Sequence, residues 1–164
     1  AARNGELTII SDAVSCSEGF VHELEYEGVT GIRVVDAVQY VADEVLPIMP
    51  PLPKVGSAAL HPTCSSTRMG WNDALKRCAE AVADEVVVAD AWGCCGFAGD
   101  RGMLHPELTE SASRREAAEL SARDFDLYLS ANRTCELGME RATGKPWRHV
   151  LSVLSERMVE DAPA

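Results

Sequence analysis

Five of the six cysteines in this chain, Cys16, Cys64, Cys94, Cys95 and Cys135, each fall just after an apolar run that reads as a β-strand. The strand-like runs are residues 7–10, 32–35, 55–60, 85–89 and 125–129. Between them the apolar spacing becomes that of amphipathic helices. These cover residues 17–26, a stretch capped by Asp36 that carries Val38, Val41 and Val45, and a helix from Asn72 or Asp73 to about 84. Three more follow: from Pro106 to about 122, a short one from near Thr134, and one over 149–158. Strands alternating with helices predict an α/β fold, three-layered, with a mostly parallel sheet and helices on both faces. The run at 85–89 is mostly valine, as suits a buried parallel strand. In an open parallel sheet, residues that follow strands gather at the carboxyl edge, where ligands bind. Cys64 and Cys135 also sit at or just before helix starts, where the helix dipole favours a thiolate. Residues 47–53, Pro-Ile-Met-Pro-Pro-Leu-Pro, read as an extended linker that cannot be helix or central strand.

The phrase Trp92-Gly93-Cys94-Cys95-Gly96 constrains the chemistry. Neighbouring cysteines hardly form a relaxed disulfide with each other, so each thiol needs another partner. Glycine recurs at 93, 96, 99 and 102, which lets the backbone turn tightly and approach a ligand. A loop of this kind suits a cluster whose sulfurs accept backbone N–H groups. Cys64, Cys94, Cys95 and Cys135 therefore read as four thiolates around an iron–sulfur cluster or a metal, the alternative being buried free thiols. Cys78 lies on the helix stripe Trp71, Leu75, Cys78, Val82 and reads as a packed core thiol. His61 and His105 each precede a proline near the cysteine loops. Either could ligate metal or bond a sulfur, although a histidine beside a loop more often satisfies a carbonyl. Asp100 and Arg101 are expected to form an ion pair closing the loop. Arg101, and likewise Arg133, could balance the negative charge of a cluster. Trp92 reads as a shield for the site, and Glu107 and Glu110 as acidic residues at a helix amino terminus.

With 26 acidic against 15 basic residues, the net charge is −11, which argues against a nucleic-acid surface or an anionic membrane surface as partner. The apolar fraction, 46%, supports a core without disulfide staples. No apolar run reaches membrane-spanning length, and no signal peptide is evident. Six cysteines without a secretory signal point to reduced thiols or a metal, hence to the cytoplasm. Any association with the inner face of a membrane would run through a partner.

The segment from Ser11 to Gly19 (Ser-Asp-Ala-Val-Ser-Cys-Ser-Glu-Gly) matches that from Ser130 to Gly138 (Ser-Ala-Asn-Arg-Thr-Cys-Glu-Leu-Gly). Each follows an apolar strand, and each leads through a glycine, Gly31 or Gly144, to an amphipathic helix. The expected organisation is a pseudo-duplicated one. Residues 1–46 would be the tail of a truncated first Cys-rich repeat, 47–53 the Pro-rich linker and 54–164 a complete second repeat, so that the chain is a fragment. Cys16 would then have lost its own partners, or else serve the second repeat as an extra ligand.

His61-Pro62-Thr63-Cys64, the run from Trp92 through Cys94-Cys95-Gly96 to Gly102, and Ser130 through Cys135 to Met139 together resemble the cysteine-rich CCG domain. That domain occurs in duplicate in the cysteine-rich subunit of heterodisulfide reductase, the glycolate oxidase iron–sulfur subunit and the lactate-utilisation proteins. The resemblance is strongest to the carboxyl-terminal part of FAD-linked D-lactate dehydrogenase-like oxidoreductases. It implies a cluster, expected as [4Fe–4S], on Cys64, Cys94, Cys95 and Cys135. It also implies a parent in which FAD oxidises a 2-hydroxy acid of the D-lactate or glycolate type. Electrons would leave the flavin domain of the same chain through iron–sulfur centres to an acceptor. The chain departs from the heterodisulfide-reductase pattern at Gly138, where a second cysteine of a Cys-x-x-Cys pair is expected, so a five-cysteine cluster does not fit. It contains no ferredoxin run and no flavin-binding segment, and by itself should show no dehydrogenase turnover. A structural zinc site on the same thiolates, or thiol–disulfide exchange of Cys94 or Cys95 with Cys64 or Cys135, are the competing readings.

Overall fold

A computed structural model describes residues 3–160. The strands are β1 (Ile9–Ser11), β2 (Val34–Asp36), β3 (Val55–Leu60), β4 (Ala83–Val87), β5 (Leu127–Ser130) and β6 (Trp147–His149). The helices are α1 (Val14–Tyr26), α2 (Ala37–Tyr40), α3 (Cys64–Arg68), α4 (Asn72–Glu80), α5 (Arg101–Leu104), α6 (Pro106–Leu120), α7 (Arg133–Thr143) and α8 (Val150–Glu160). One sheet has the order β4-β3-β5-β6, and β1 and β2 form a second, two-stranded sheet. All pairings are parallel. The predicted three-layer α/β architecture is therefore present. Among the described residues no helix is long and apolar enough to cross a membrane.

Strand alternation sends neighbouring residues to opposite faces. Ala58, Leu60 and Leu129 join Val38, Leu75, Cys78, Val82 and Val153 in one apolar cluster, against α4 and α8. Ala59 and Tyr128 join Leu120, Met139 and Trp147 in another, against α6 and α7. The small residues of β3 follow from this position, because that central strand is covered on both faces.

Several sequence expectations shift. The valine-rich strand is an edge strand, not a buried one: β4 begins at Ala83, exposes Asp84 and Glu85, and leaves Val88 38% exposed. The helix expected to reach residue 84 stops at Glu80, and Val82 already accepts from the Val55 amide (2.9 Å). Helix α1 starts at Val14 rather than at 17, because Val14 is buried and Ser17 is buried with it, donating to Asp36 Oδ2 (2.8 Å). Part of the proline stretch is helical: Leu46–Ile48 is a 3-10 turn with Pro47 in its first turn, where a missing N–H costs nothing. Helix α7 is not short but runs 11 residues. Strand β6 and helix α5 have no counterpart in the sequence reading, whereas α3 begins at Cys64, where a helix start was expected. Asp36 does cap α2, accepting from Val38 N (2.9 Å).

Candidate metal centre

Because β3, β4 and β5 are parallel, their following loops emerge at one edge of the sheet. Strand β3 ends at Leu60 and delivers His61 and, at the first residue of α3, Cys64. Thr63 caps that helix: its Oγ1 accepts from Ser66 N (3.0 Å), while Ser66 Oγ accepts from Thr63 N (3.0 Å). Strand β4 leads into the loop carrying Cys94 and Cys95. Strand β5 leads to Asn132, which caps α7 through Thr134 N (3.3 Å) and sets Cys135 in the first turn.

The cysteine loop is anchored at several points. Glu119 of α6 accepts from Asp90 N (2.7 Å) and Ala91 N (2.9 Å). Trp92 Nε1 donates to Pro62 O (2.7 Å), which ties the loop to the β3–α3 turn. Phe97 is wholly buried, with the Arg141 guanidinium 5.3 Å from its ring centre. Arg141 Nη1 also donates to Gly102 O (2.8 Å). At Gly96, φ is +69°, and a Cβ would lie 2.8 Å from Ala112 Cβ and 2.9 Å from Leu108 O. Only glycine fits there.

Cys95 and Cys135 are buried, and their sulfurs are hydrogen-bonded at 3.2 Å. Cys64 is half-buried and Cys94 is exposed. Gly138 faces the same place: a Cβ on it would sit 3.3 Å from Cys95 Cβ. Cys16 and Cys78 stand apart, one exposed and the other buried in the core.

The sequence left His61 between a metal or sulfur contact and a carbonyl, and the ring lies between a carboxylate and a sulfur. Its Nδ1 is 2.8 Å from Glu116 Oε1, and both side chains are almost wholly buried. Its Nε2 is buried without a hydrogen-bond partner of regular geometry. The donor atoms of His61, Cys95 and Cys135 all lie within 4.8 Å of one another. Burial resists a charge on His61, but Cys95 and the Glu116 carboxylate outweigh it and push the imidazole up to about 9. Cys95 is lowered to about 4 by the Cys135 hydrogen bond, against burial and with help from His61 and the Phe97 N–H. Cys135 is pushed up by the neighbouring Cys95 and by burial. Cys64 is pushed up to about 12 by burial and by Cys94. Without metal, the favoured state is a Cys95 thiolate between His61 and a protonated Cys135. Such a set of soft thiol donors with one imidazole fits zinc or iron.

His105 is exposed and lies 3.2 Å from Glu107. Arg101 is exposed at the start of α5, and among the described residues it forms no ion pair with Asp100, contrary to the sequence expectation. The loop is closed instead by Arg141 on Gly102. Arg133 pairs with Glu136 (3.0 Å). The sequence reading missed Glu116 and Glu18. Glu116 lies on the buried stripe Thr109, Ser113, Glu116, Leu120 of α6, and an acid on an otherwise buried stripe is the signal that could have found it. Glu18 accepts from Ser65 Oγ (2.5 Å) and Arg68 Nη2 (2.6 Å), fastening α1 to the helix that carries Cys64.

A family model described as a cysteine-rich domain, CCG, matches residues 58–140, a stretch that includes His61, Cys64, Cys94, Cys95 and Cys135. Among curated proteins none matches the chain significantly.

Proposed function

The chain belongs to the cysteine-rich CCG domain family, and on that premise we propose that it is an iron–sulfur electron-transfer module. Cys64, Cys94, Cys95 and Cys135 hold the cluster, expected as [4Fe–4S], and the module serves a flavin-dependent dehydrogenase of 2-hydroxy acids. The observation that supports the cluster reading is the grouping of Cys95 and Cys135 with a buried imidazole nitrogen that lacks a regular hydrogen bond, while Cys64 and Cys94 lie in loops at the same sheet edge. A bound cluster supplies one-electron transfer. The protein's own part is to hold the sulfurs, to offer N–H groups such as that of Phe97, and to exclude water through Trp92 and Phe97. The flavin domain and the hydroxy-acid substrate are proposed from the resemblance of the three cysteine phrases, and a first Cys-rich repeat within 1–46 from the match of residues 11–19 to 130–138.

Anaerobic purification with iron and acid-labile sulfide analysis tests the cluster. Replacing Cys64, Cys94, Cys95 or Cys135 by Ser should each lower the iron content, and Cys78→Ser should not. Assay with D-lactate or glycolate and an artificial acceptor tests the rest. Turnover by this chain without added flavoprotein would overturn the assignment to the electron-carrying end.

A single zinc ion is the second reading, and one observation favours it. Ligands of one tetrahedral ion, at ~2.3 Å for sulfur and ~2.0 Å for nitrogen, lie roughly 3.5–3.8 Å apart. The close grouping of His61, Cys95 and Cys135 is near that span. Iron analysis separates the two.

A further inference from the structure

We propose that His61 is itself a metal ligand, binding through Nε2 to the same ion as Cys95 and Cys135, with Glu116 as its positioning residue. The inference rests on the single-ion reading above and deepens it, because it gives that ion a mixed nitrogen–sulfur ligand set in place of thiolates alone.

Three independent observations converge. First, the ring is presented with the correct nitrogen. Glu116 Oε1 lies 2.8 Å from Nδ1, so an ionised Glu116 accepts the Nδ1 proton and leaves the Nε2 lone pair free. A carboxylate behind a histidine is the usual second contact of a metal-bound imidazole, fixing tautomer and ring plane. Secondly, the only partner Nε2 has is the Cys95 sulfur. The nitrogen is buried without a regular hydrogen bond, and a buried polar atom left so is costly unless something bonds it. Thirdly, the sulfurs of Cys95 and Cys135 are within 4.8 Å of the ring nitrogen, and their 3.2 Å separation need open only to ~3.8 Å for both to bind one tetrahedral ion.

The ring cannot easily turn away. The His61 amide donates to Leu129 O (2.9 Å), Ser130 Oγ donates to His61 O (2.9 Å), and Trp147 packs edge-on at 6.3 Å. The other histidines are excluded by place. His22 and His105 are exposed and pair with Glu25 and Glu107, and His149 Nδ1 accepts from Leu151 N at the start of α8. Gly138, one turn after Cys135 in α7, supplies no donor, and it packs directly against Cys95.

The experiment is pulsed electron paramagnetic resonance on the full chain, with histidine nitrogens labelled with nitrogen-15. The chain is loaded anaerobically in parallel with iron plus sulfide and with Co2+ alone. A directly bound nitrogen should appear in the wild type and vanish in His61→Cys. That variant should keep the wild-type metal content, because a thiolate replaces the imidazole, and its iron form should have a lower reduction potential. Glu116→Gln should keep the nitrogen coupling while weakening Co2+ binding about 10- to 100-fold. Full metal uptake by the wild type with no bound nitrogen would overturn the ligand assignment and leave the metal reading intact. Failure of the wild type to take up either metal would overturn the metal reading itself. The wild-type spectrum decides alone if His61→Cys does not fold.

Discussion

Three glycines of the cysteine loop should respond very differently to the same added methyl group. At Gly93 the backbone is ordinary and a Cβ meets nothing within 4 Å, so Gly93→Ala should be neutral or stabilise slightly, by up to ~1 kcal/mol, through the unfolded chain. At Gly99, φ is +72° but the space is open. Gly99→Ala should therefore cost only the left-handed backbone penalty, about 1–2 kcal/mol. Gly96 adds a collision to that penalty. Its Cβ would meet Ala112 Cβ at 2.8 Å and the Leu108 carbonyl at 2.9 Å, and the second is helix backbone that cannot swing aside. Overpacking of this kind costs a further ~1–3 kcal/mol. The sum, about 2–5 kcal/mol, corresponds to a fall in Tm of roughly 10 °C for a chain of this size. Urea unfolding of the three variants, metal-free and reduced, would measure the order 93 < 99 < 96. Metal uptake should fall only for Gly96→Ala, since the adjacent Cys95 must move with it. A Gly96→Ala protein within ~0.5 kcal/mol of wild type would refute the reasoning, because both penalties would have to be absent.

Other consequences can be read in separate assays. Glu18 is held down to about 2 by the Arg68 hydrogen bond, against burial and with help from Ser65. Its folded value lies below the unfolded one, so its contribution is present above pH ~4.5 and lost as pH falls towards 2. Arg68 is 62% exposed, so Glu18→Gln should remove no more than about 1 kcal/mol, seen as a flatter acid limb in pH-dependent unfolding and shrinking with salt. Trp92→Phe should cost about 1 kcal/mol by deleting the bond to Pro62 O, and should speed metal loss to a chelator. In the metal-free native chain a thiol reagent should modify exposed Cys16 and Cys94 first. Cys78, whose thiol burial pushes up to about 12, should react only on unfolding.

Much of the architecture was readable from periodicity, and the failures have local causes. Strand-helix alternation was enough for the parallel α/β fold, and the cap at Asp36 was placed correctly. The valine run misled because β4 is an edge strand whose half-buried side chains still pack on α-helical cover, so composition alone did not separate edge from centre. Strand β6 is three residues long, and two of them are Arg148 and His149; only its pairing with β5 makes it a strand. Of the candidate site, the meeting of Cys95 with Cys135 was legible, because loops after parallel strands come to one edge. What periodicity could not supply was orientation. That Glu116, 55 residues from His61, would turn the imidazole towards Cys95 depends on α6 packing across the sheet. The exposed position of Arg101 depends on Arg141 already occupying the loop's carbonyl.

The duplicated phrase locates the source of the chemistry. In both copies a strand ends on serine, a helix begins three residues later, and a second parallel strand pairs with the first. Ser11 stands opposite Asp36 and Ser130 opposite His149. Each of those partners then caps the next helix by the same bond two residues on, from Val38 N (2.9 Å) and from Leu151 N (3.2 Å). Cys16 and Cys135 are both the third residue of their helices. The two helix starts even touch, Asn132 Nδ2 donating to Ser15 Oγ (3.1 Å). Yet Cys16 is exposed, and Cys135 is buried 3.2 Å from another sulfur. Local sequence and helix position are matched, so neither of them gathers donors around the thiol. The difference is what β3 and β4 bring beside Cys135: His61 from one loop and Cys95 from the other. A helix amino terminus presents a sulfur, and the neighbouring strands decide whether other donor atoms meet it.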